Sequence, residues 1–372
     1  MRRSFFILLI LNIMNFTYGK NVMIPFEQNG KIGFVNEKFQ IICYPEYSKI
    51  YNHSKYMFWV IKMNENNIIC KNDIIFSDGT KLSLNDYKTK VKFIGNNFYV
   101  IYKNSESVVY NMENNEIVNI FKGYELEDSE SEKYIFVTNI KNKNKSRYFY
   151  IDLQGNEFLT NNSYNRILSH DIKTKSIIYA DQNWNEKICD FENNLKFNKS
   201  IFEIGKIGDG LFLGYREDEQ GYFDLNGKLR IRIKGLENQD NHLCPVFCCS
   251  LIPCILKDND IYVQEKVMEY KSKNWAIINT EGKVIKKNIE ADFIFPFSDS
   301  KVAIMYKKIN GEKKYSLLNT RGNVLTKKEY DDIREPINGY SRARIGKVDY
   351  LISTKNGQDY KVFEILLKNK RD

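Results

Sequence analysis

Residues able to bind a metal ion or form disulfide bonds are concentrated in one short stretch of this chain. The residues His242, Cys244, Cys248, Cys249 and Cys254 fall within 13 positions. Structural zinc sites carry paired Cys-x2-Cys knuckles, which this spacing lacks. We therefore expect one or two local disulfides among the four cysteines, because such bonds are common in exported chains. Buried free thiols and a metal site are the alternatives.

The neighbouring residues Cys248 and Cys249 are not expected to bond each other. The chain contains seven cysteines, so at least one is unpaired or pairs with another chain. The pairing itself cannot be deduced from the spacing.

Two other groups of polar residues resemble parts of known sites. His170 and Asp171 are adjacent, as if they were two members of a catalytic triad. No Gly-x-Ser-x-Gly motif accompanies them, so we interpret them as chance neighbours in a loop. The acidic run from Glu125 to Glu132 lacks the residue order of a calcium loop and is interpreted as a solvated loop. We predict no catalytic residue, no metal ligand and no cofactor.

A short sequence motif, which we call the repeated phrase, recurs about nine times along the chain. The strands and turns that it forms must position all of these residues. Each copy is an aromatic-rich apolar strand followed by Asp or Asn, two residues and Gly, as in Tyr148–Gly155 and Gly221–Gly227. Successive copies end 34 to 55 residues apart. Repetition at a nearly constant period indicates a repeat architecture. The final position of the phrase is occupied by Phe39, Gly79, Asn114, Gly155, Asn193, Gly227, Gly282, Gly322 and Gly357.

The end of the phrase predicts a β-hairpin turn. Asp or Asn at the first turn position accepts a hydrogen bond from the backbone N–H two residues later. Gly at the fourth position supplies the positive φ of a type I turn with a bulge. The predicted structural turns pair Asp152 with Gly155, Asp224 with Gly227, Asn279 with Gly282, and Asn319 with Gly322. Phe39 is a poor occupant of the fourth position, so the first copy is either degenerate or shifted in register.

The strand that enters each turn is apolar at consecutive positions, which is typical of a strand buried on both faces. Three or four strands fit into each unit of about 40 residues, the size of a propeller blade. The sequence therefore predicts one all-β domain over residues 20–372, with a Cys-rich insertion at 236–260. We expect a closed propeller of about eight blades, with an open β-solenoid as the alternative. The N-terminal segment and residues 358–367 are candidates to complete one blade together.

These residues resemble the WG-repeat family of bacterial proteins. Its unit reads approximately Gly-Lys-Trp-Gly-aromatic-Ile-Asp-x-x-Gly-Lys, followed by a Pro-x-Tyr-Asp segment and a Gly-Leu-Ala-x-Val strand. Residues 30–36 match the first part except for the Trp, and residues 220–228 keep its second half. Trp275 keeps the Trp, and residues 338–343 look like the later strand. The resemblance implies an interaction module of the cell envelope and no catalytic residues.

The N-terminus predicts a secretory signal peptide over residues 1–19. Arg2 and Arg3 precede the apolar run Ser4–Leu11, and small residues stand at the positions that signal peptidases recognise. Asn12 ends the run well short of the roughly 20 residues needed to span a bilayer. We therefore predict an exported protein without a transmembrane helix after cleavage.

The charge of the chain does not indicate a nucleic-acid partner. The formal net charge is +9, and loss of the two leader arginines leaves +7. The remaining lysines are spread along the sequence, whereas nucleic-acid binding requires a basic cluster or a recognisable fold.

We expect this protein to bind a protein or cell-envelope ligand through repeated loops, without catalysis. Trp59 and Trp184 are candidate contact residues, although burial in the core fits them equally well. One alternative is an exported enzyme, for example one that acts on glycans with two carboxylates in the propeller centre. The other is a purely structural envelope component. The sequence identifies neither the ligand nor the oligomeric state.

Overall fold

In the computed structural model of this protein, small antiparallel sheets form a ring. The described residues are 21–84, 89–95, 97–129, 133–139, 148–159, 164–171, 173–181, 183, 185–192, 194–197, 207–216, 219–234, 247–257, 260–262 and 274–369. Within them the protein is an all-β propeller of nine blades with one short helix. The predicted fold class is confirmed.

The first five blades follow one another along the chain. Blade 1 contains β1 (Ile24–Gln28), β2 (Lys31–Val35) and β3 (Ile41–Tyr47). Blade 2 contains β4 (Lys49–His53), β5 (Met57–Met63), β6 (Ile69–Phe76) and β7 (Lys81–Ser83). Blade 3 contains β8 (Lys90–Ile94), β9 (Phe98–Lys103), β10 (Glu106–Asn111) and β11 (Ile117–Lys122). Blade 4 contains β12 (Tyr124–Leu126), β13 (Ile135–Asn139), β14 (Tyr148–Ile151) and β15 (Glu157–Phe158). Blade 5 contains β16 (Tyr164–Asp171), β17 (Ser176–Asp181), β18 (Glu186–Asp190) and β19 (Leu195–Phe197).

The remaining four blades complete the ring. Blade 6 contains β20 (Ile207–Gly208), β21 (Leu211–Arg216), β22 (Glu219–Asp224) and β23 (Leu229–Arg232). Blade 7 contains β24 (Leu251–Lys257), β25 (Asp260–Tyr262), β26 (Asn274–Asn279) and β27 (Val284–Glu290), in the spatial order β25-β24-β26-β27. Blade 8 contains β28 (Phe293–Phe297), β29 (Val302–Ile309) and β30 (Glu312–Asn319). Blade 9 contains β31 (Asp332–Ile333), β32 (Tyr340–Ile345), β33 (Val348–Ser353) and β34 (Asp359–Lys361), and the helix α1 (Val362–Asn369) follows it.

Each blade contains one copy of the repeated phrase. The phrase forms the third strand of the four-stranded pattern and the turn that follows it, as β14 and its turn do in blade 4. The nine blades are one more than the approximate prediction of eight, because even the degenerate first copy builds a separate blade from β1, β2 and β3.

The turn of blade 4 shows why Asp and Gly recur at this spacing. The N–H of Gly155 donates to the C=O of Asp152 (3.0 Å), and Gly155 has a φ of 89°. Oδ1 of Asp152 accepts the N–H groups of Gln154 (3.0 Å) and Asn156 (2.8 Å). Although burial alone would raise the pKa of Asp152, these bonds and one from the Asn156 side chain lower it. The backbone bonds recur in the turns Asp224–Gly227, Asn279–Gly282 and Asn319–Gly322.

The first copy keeps the predicted register in spite of Phe39. The N–H of Phe39 donates to the C=O of Asn36 (2.9 Å), and Phe39 itself has a φ of 60°. A left-handed backbone is unusual for so large a residue. The Phe39 ring lies 4.6 Å from the ring of Tyr360 and 5.9 Å from that of Tyr340, both in blade 9. The unusual residue therefore contacts the blade that closes the ring.

Two other copies differ from the prediction by one residue. In blade 3 the left-handed residue is Asn115, with a φ of 62°, and not Asn114. In blade 9 the turn begins at Ser353, whose C=O accepts the N–H of Gly357 (2.8 Å). Both turns are one residue longer than the phrase requires. Asn193 lies outside the described residues.

The third strand of a blade is buried on both faces, as its apolar sequence predicts. In blade 7, Ala276 and Ile278 belong to a core cluster shared with blade 6. The alternate residues Trp275 and Ile277 belong to a different cluster, shared with blade 8. All four side chains are at most 1% exposed. Burial of one large apolar side chain contributes about 2 kcal/mol, so each blade is stabilised by the two neighbours that cover it.

The ring closes by direct packing of blade 9 against blade 1. The side-chain amide of Asn338 donates to the C=O groups of Met23 (2.7 Å) and Lys55 (3.2 Å). The Arg342 guanidinium forms an ion pair with Glu27 at 3.2 Å. These bonds connect the last blade to the first and second blades.

The helix α1 covers the outer part of this junction. Its buried face consists of Val362, Ile365 and Leu366, which follow the helical spacing. This face packs in a cluster with β1 residues. Oδ1 of Asn369 accepts the N–H of Ile41 in blade 1 (2.9 Å). Residues 358–367 thus supply β34 and most of α1. The prediction that they complete one blade together with the N-terminal segment was wrong, because β34 belongs to blade 9 and β1 to blade 1.

Blade 1 lacks a channel-side strand among the described residues, since β1 takes the second-strand position of its blade. The two-residue turn after Gln28 makes Gln28 and Lys31 a hydrogen-bonded pair. Hydrogen-bonded and non-hydrogen-bonded pairs alternate along an antiparallel ladder, so Pro25 and Phe34 form a non-hydrogen-bonded pair. The backbone nitrogen of Pro25 therefore points away from β2, toward the unpaired edge of β1. Proline has no N–H to donate and is therefore well suited to an edge strand.

The glycine that lies three residues before the first turn residue has a packing role in blades 1 and 6. A Cβ on Gly33 would lie 2.7 Å from the C=O oxygen of Cys43, and one on Gly221 would lie 1.9 Å from that of Ile231. In both blades the fourth strand approaches the third too closely for any side chain at this position.

We predict that Gly221→Ala destabilises the protein by about 2 to 3 kcal/mol or more, because the added methyl group overlaps the β23 backbone. Urea unfolding of the purified variant measures this loss. Gly311→Ala is the matched control: it also places Ala at a positive φ (85°), but no atom lies within 4 Å of the new Cβ. Equal stability of the two variants would contradict this packing role.

Candidate functional site at the mouth of the channel

The propeller collects two turns of each complete blade at one end of its central channel. In an up-and-down sheet, the turn between the first and second strands lies at the same end as the turn between the third and fourth. We call this the turn end. The channel opens there into a cavity of about 960 Å³. The channel mouth is lined by residues that include His53, Lys55, Asp128, His170, Asp171, Lys173, Asp299 and Asn338.

The channel continues inward from the mouth beside blades 8 and 9. A second cavity of about 660 Å³ shares Asn52, His53 and Asp299 with the mouth. It extends to Glu335 and to Arg342 on the second strand of blade 9. The two cavities are therefore neighbours that share part of their walls.

Two carboxylates of the mouth, those of Asp128 and Asp171, are held by hydrogen bonds between blades. Asp128 of blade 4 accepts the side-chain amide of Asn52 (2.6 Å) and the N–H of Phe93 (2.7 Å). Asp171 of blade 5 accepts the N–H of Gly210 in blade 6 (3.2 Å). These aspartates connect the first turns of different blades.

The same pattern continues toward blade 7. Asp209 of blade 6 forms an ion pair with Lys173 of blade 5 (2.5 Å) and accepts the N–H of Ser250 (2.7 Å). The bond to Asp209 raises the pKa of Lys173. The hydrogen bonds and the ion pair at the turn end therefore fix the rim of the channel mouth.

Two histidines, His53 and His170, face the mouth from the ends of first strands. The His53 ring stacks on Phe58 at 5.5 Å, and the His170 ring lies edge-on to Tyr150 at 6.0 Å. Shielding by the surrounding protein lowers the pKa of both imidazoles, and nearby carboxylates oppose this shift. The sequence interpretation placed His170 in a loop, but it lies in β16. His53 was not selected from the sequence, because no local motif marks it.

A side pocket opens between blades 8 and 9. Its volume is about 480 Å³, and its apolar walls include Phe295, Phe297, Ile304 and Ile333. Phe295 is 38% exposed, although it is a large apolar residue. Glu335 lines both the side pocket and the inner channel.

The acidic groups of the side pocket differ in their pairing. The carboxylate of Asp332 forms an ion pair with Arg334 at 3.0 Å. Among the described residues, no ion pair or hydrogen bond engages the Glu335 carboxylate, although its charge acts to raise the pKa of His53. The side pocket therefore combines aromatic walls with one carboxylate available to a ligand.

Two of the three described cysteines of the predicted cluster lie at the rim of the mouth. Cys248 and Cys249 form the turn before β24, whereas Cys254 on β24 is fully buried between blades 6 and 7. The described cysteines are free thiols. His242 and Cys244 lie outside the described residues, so the disulfide prediction stays a prediction. Within the described chain, no group of three His, Cys, Asp or Glu side chains is arranged to hold a metal ion.

The acidic run lies in ion pairs between blades 3 and 4 where it is described. Glu125 pairs with Lys90 (2.5 Å) and Glu127 with Lys92 (2.6 Å). Glu130 and Glu132 lie outside the described residues. The run forms part of a blade junction and is not merely a solvated loop.

Of the two candidate contact tryptophans, only Trp59 is described. It lies in β5, stacks on Tyr51 at 4.9 Å and donates from Nε1 to Oδ1 of Asn72 (2.6 Å). Trp59 is partly exposed and held by its neighbours. Trp184 lies outside the described residues.

The fold and the mouth define this protein as a nine-bladed β-propeller with its repeated turns gathered around one channel opening. The model of the WG containing repeat matches residues 315–348. This segment begins at Tyr315, which occupies the tryptophan position of the eighth phrase. The predicted resemblance to WG repeats is confirmed there, in a single copy.

Two solved structures are similar to this chain at low sequence identity, and the first of them supports the fold. A crystal structure of a eukaryotic initiation factor is 12% identical, covers 92% of this chain and 96% of its own, and has a TM-score of 0.52. BamB from Moraxella catarrhalis is 10% identical, covers 90% of this chain and 92% of its own, and has a TM-score of 0.37. No curated protein matches this chain significantly in sequence. Across the described residues, no helix has the length and apolar character needed to cross a membrane.

Proposed function

We propose that this protein is an exported, non-catalytic propeller scaffold that binds a protein partner at the channel mouth and in the side pocket. The side pocket is the observation that carries this proposal. It offers exposed aromatic surface and an unpaired carboxylate beside the inner channel. Small sites of this kind, with apolar walls and few polar groups, are typical of ligand binding.

The chemistry of the side pocket favours a basic side chain of the partner. The exposed ring of Phe295 would attract the cationic head of Lys or Arg, while the apolar walls would cover its methylene chain. Glu335 supplies the counter-charge. A lysine or arginine in an extended partner segment would reach this pocket through the inner channel.

The turn-end bonds support binding over catalysis. Asp128 and Asp171 in the mouth, and Asp209 beside it, are engaged in bonds between blades. Such a rim presents a fixed shape to a partner, which lowers the conformational cost of association.

Export of the protein is compatible with the position of its first strand. Since β1 begins at Ile24, cleavage after Gly19 would remove no described strand. The Ile24 and Phe26 side chains of blade 1 would remain in the apolar cluster that blade 1 shares with blade 9 and α1.

Binding is tested with an array of extended peptides that carry a central Lys or Arg, probed with the purified protein. We expect retention of basic peptides and at least a tenfold loss of affinity in Glu335→Gln, equivalent to about 1.4 kcal/mol. Phe295→Ala should weaken the same peptides by removal of an aromatic wall. Glu312→Gln is the matched control, because Glu312 follows the turn at the opposite end of the channel. Loss of the same size in this control, or no preference for basic peptides, would contradict the proposal.

Export is tested by expression of the full chain in a bacterial host, followed by cell fractionation and intact-mass measurement. We expect a mature protein that begins at Lys20 and lies outside the cytoplasm. Replacement of Leu8 and Leu9 by Arg should prevent processing, because it interrupts the apolar run. An unprocessed cytoplasmic protein from the unaltered chain would contradict export.

A further inference from the structure

The turn before β24 has an unusual composition for its geometry. The N–H of Cys248 donates to the C=O of Leu251 (3.2 Å), and the N–H of Leu251 donates back to the C=O of Cys248 (3.0 Å). The central residues Cys249 and Ser250 have φ values of 55° and 61°. Two consecutive positive φ angles are typical of a type I′ turn, which strongly favours Asn and Gly. The Cys-Ser sequence therefore holds this turn in a conformation that costs free energy.

This turn brings two thiols together at the rim of the channel mouth. The Sγ atoms of Cys248 and Cys249 lie 3.7 Å apart. Both residues are partly exposed and line a cavity of about 600 Å³ that reaches Lys173 and Lys301. A reagent from solution can therefore reach the thiol pair.

The two thiols also connect blade 7 to blade 8. The Cys248 thiol donates to Oδ1 of Asp299 (3.6 Å), and the Cys249 thiol donates to the C=O of Ser298 (3.5 Å). Both acceptors lie in the first turn of blade 8. These contacts depend on the S–H hydrogens and exist only while the thiols are reduced.

The other described cysteines lack this combination of proximity and access. Cys43, Cys189 and Cys254 are buried in core positions. Cys70 is exposed, and its thiol donates to the C=O of Lys62 (3.3 Å).

We infer that Cys248 and Cys249 form a redox-active pair that closes to a vicinal disulfide by exchange with a disulfide-containing oxidant. This inference goes beyond ligand binding and does not depend on it. It also revises the expectation that these neighbours do not bond. The strained turn places the two sulfur atoms in contact, which adjacent positions in an extended strand would not do.

The reaction proceeds by two exchange steps that conserve atoms and electrons. The Cys249 thiolate attacks one sulfur of an external disulfide, forms a mixed disulfide and releases one thiol, which takes up the proton. Cys248 then loses its proton and attacks Sγ of Cys249. The second external sulfur leaves and takes up that proton to become a thiol. The protein loses two protons and two electrons, and the external disulfide gains them as it becomes two thiols.

The order of attack follows from the surroundings of the two thiols. Burial and the neighbouring Cys249 raise the pKa of Cys248, which opposes formation of its thiolate, and the proposed sequence therefore assigns the first attack to Cys249. The Asp299 carboxylate accepts the Cys248 S–H and lies where the second proton must leave. Closure of the disulfide removes both thiol bonds to blade 8, and oxidation therefore alters the rim of the mouth.

The inference is tested by treating reduced, purified protein with oxidised glutathione, followed by proteolysis and mass spectrometry. We expect the peptide that contains both cysteines to lose two hydrogen atoms and to resist iodoacetamide at both thiols. Dithiothreitol should restore its mass and both alkylation sites. The variant Cys244→Ser should behave in the same way, because it leaves the vicinal pair intact.

Two further variants separate this pair from general thiol oxidation. Cys249→Ser should abolish the loss of two hydrogens, whereas Cys70→Ser should leave it unchanged. A disulfide from Cys248 or Cys249 to Cys244 or Cys254 would overturn the inference. So would full alkylation of both thiols after exposure to the oxidant.

Discussion

The whole structure depends on third strands that are apolar on both faces and must be covered from both sides. In blade 7, alternate residues of β26 enter two different core clusters, one with each neighbouring blade. A single blade cannot satisfy such a strand, because one of its faces would remain in water. Each blade therefore requires two neighbours. A ring is the arrangement in which this condition holds for the first and last blades as well.

Closure of the ring explains features that the local repeat does not require. The Phe39 ring contacts the rings of Tyr340 and Tyr360, and the helix α1 buries its apolar face against β1. No strand is exchanged between blades 1 and 9 in the described chain. Side-chain packing and the Asn338 bonds replace a shared sheet. Pro25 is compatible with this arrangement, since the edge on which it lies needs no N–H donor there.

Much of the fold follows from the sequence, because its signals are local. The Asx-to-Gly spacing specifies a turn within five residues, and consecutive apolar residues specify burial on both faces. Phe39 shows the limit of this reasoning. Its ring contacts lie more than 300 positions away in the chain, so the sequence pattern alone could not explain why a bulky residue occupies a left-handed position.

The candidate site was far less predictable than the fold. The channel mouth combines side chains from blades that are distant in sequence, such as His53 and Asp299. None of them lies in a recognisable motif, and Glu335 stands out only because the structure leaves it unpaired beside Phe295. Cys248 and Cys249 were noticed in the sequence, but the positive φ values that bring their thiols together became visible only in the folded turn.

Hydrogen–deuterium exchange of the native protein tests mutual coverage of the blades most directly. Amides that pair within a blade exchange slowly only when opening of that blade is costly. We predict comparable strong protection of β2 in blade 1, β26 in blade 7 and β33 in blade 9, because a closed ring leaves no terminal blade uncovered. Early exchange of β2 and β33, with protection confined to the middle blades, would contradict a closed ring and would indicate an open array.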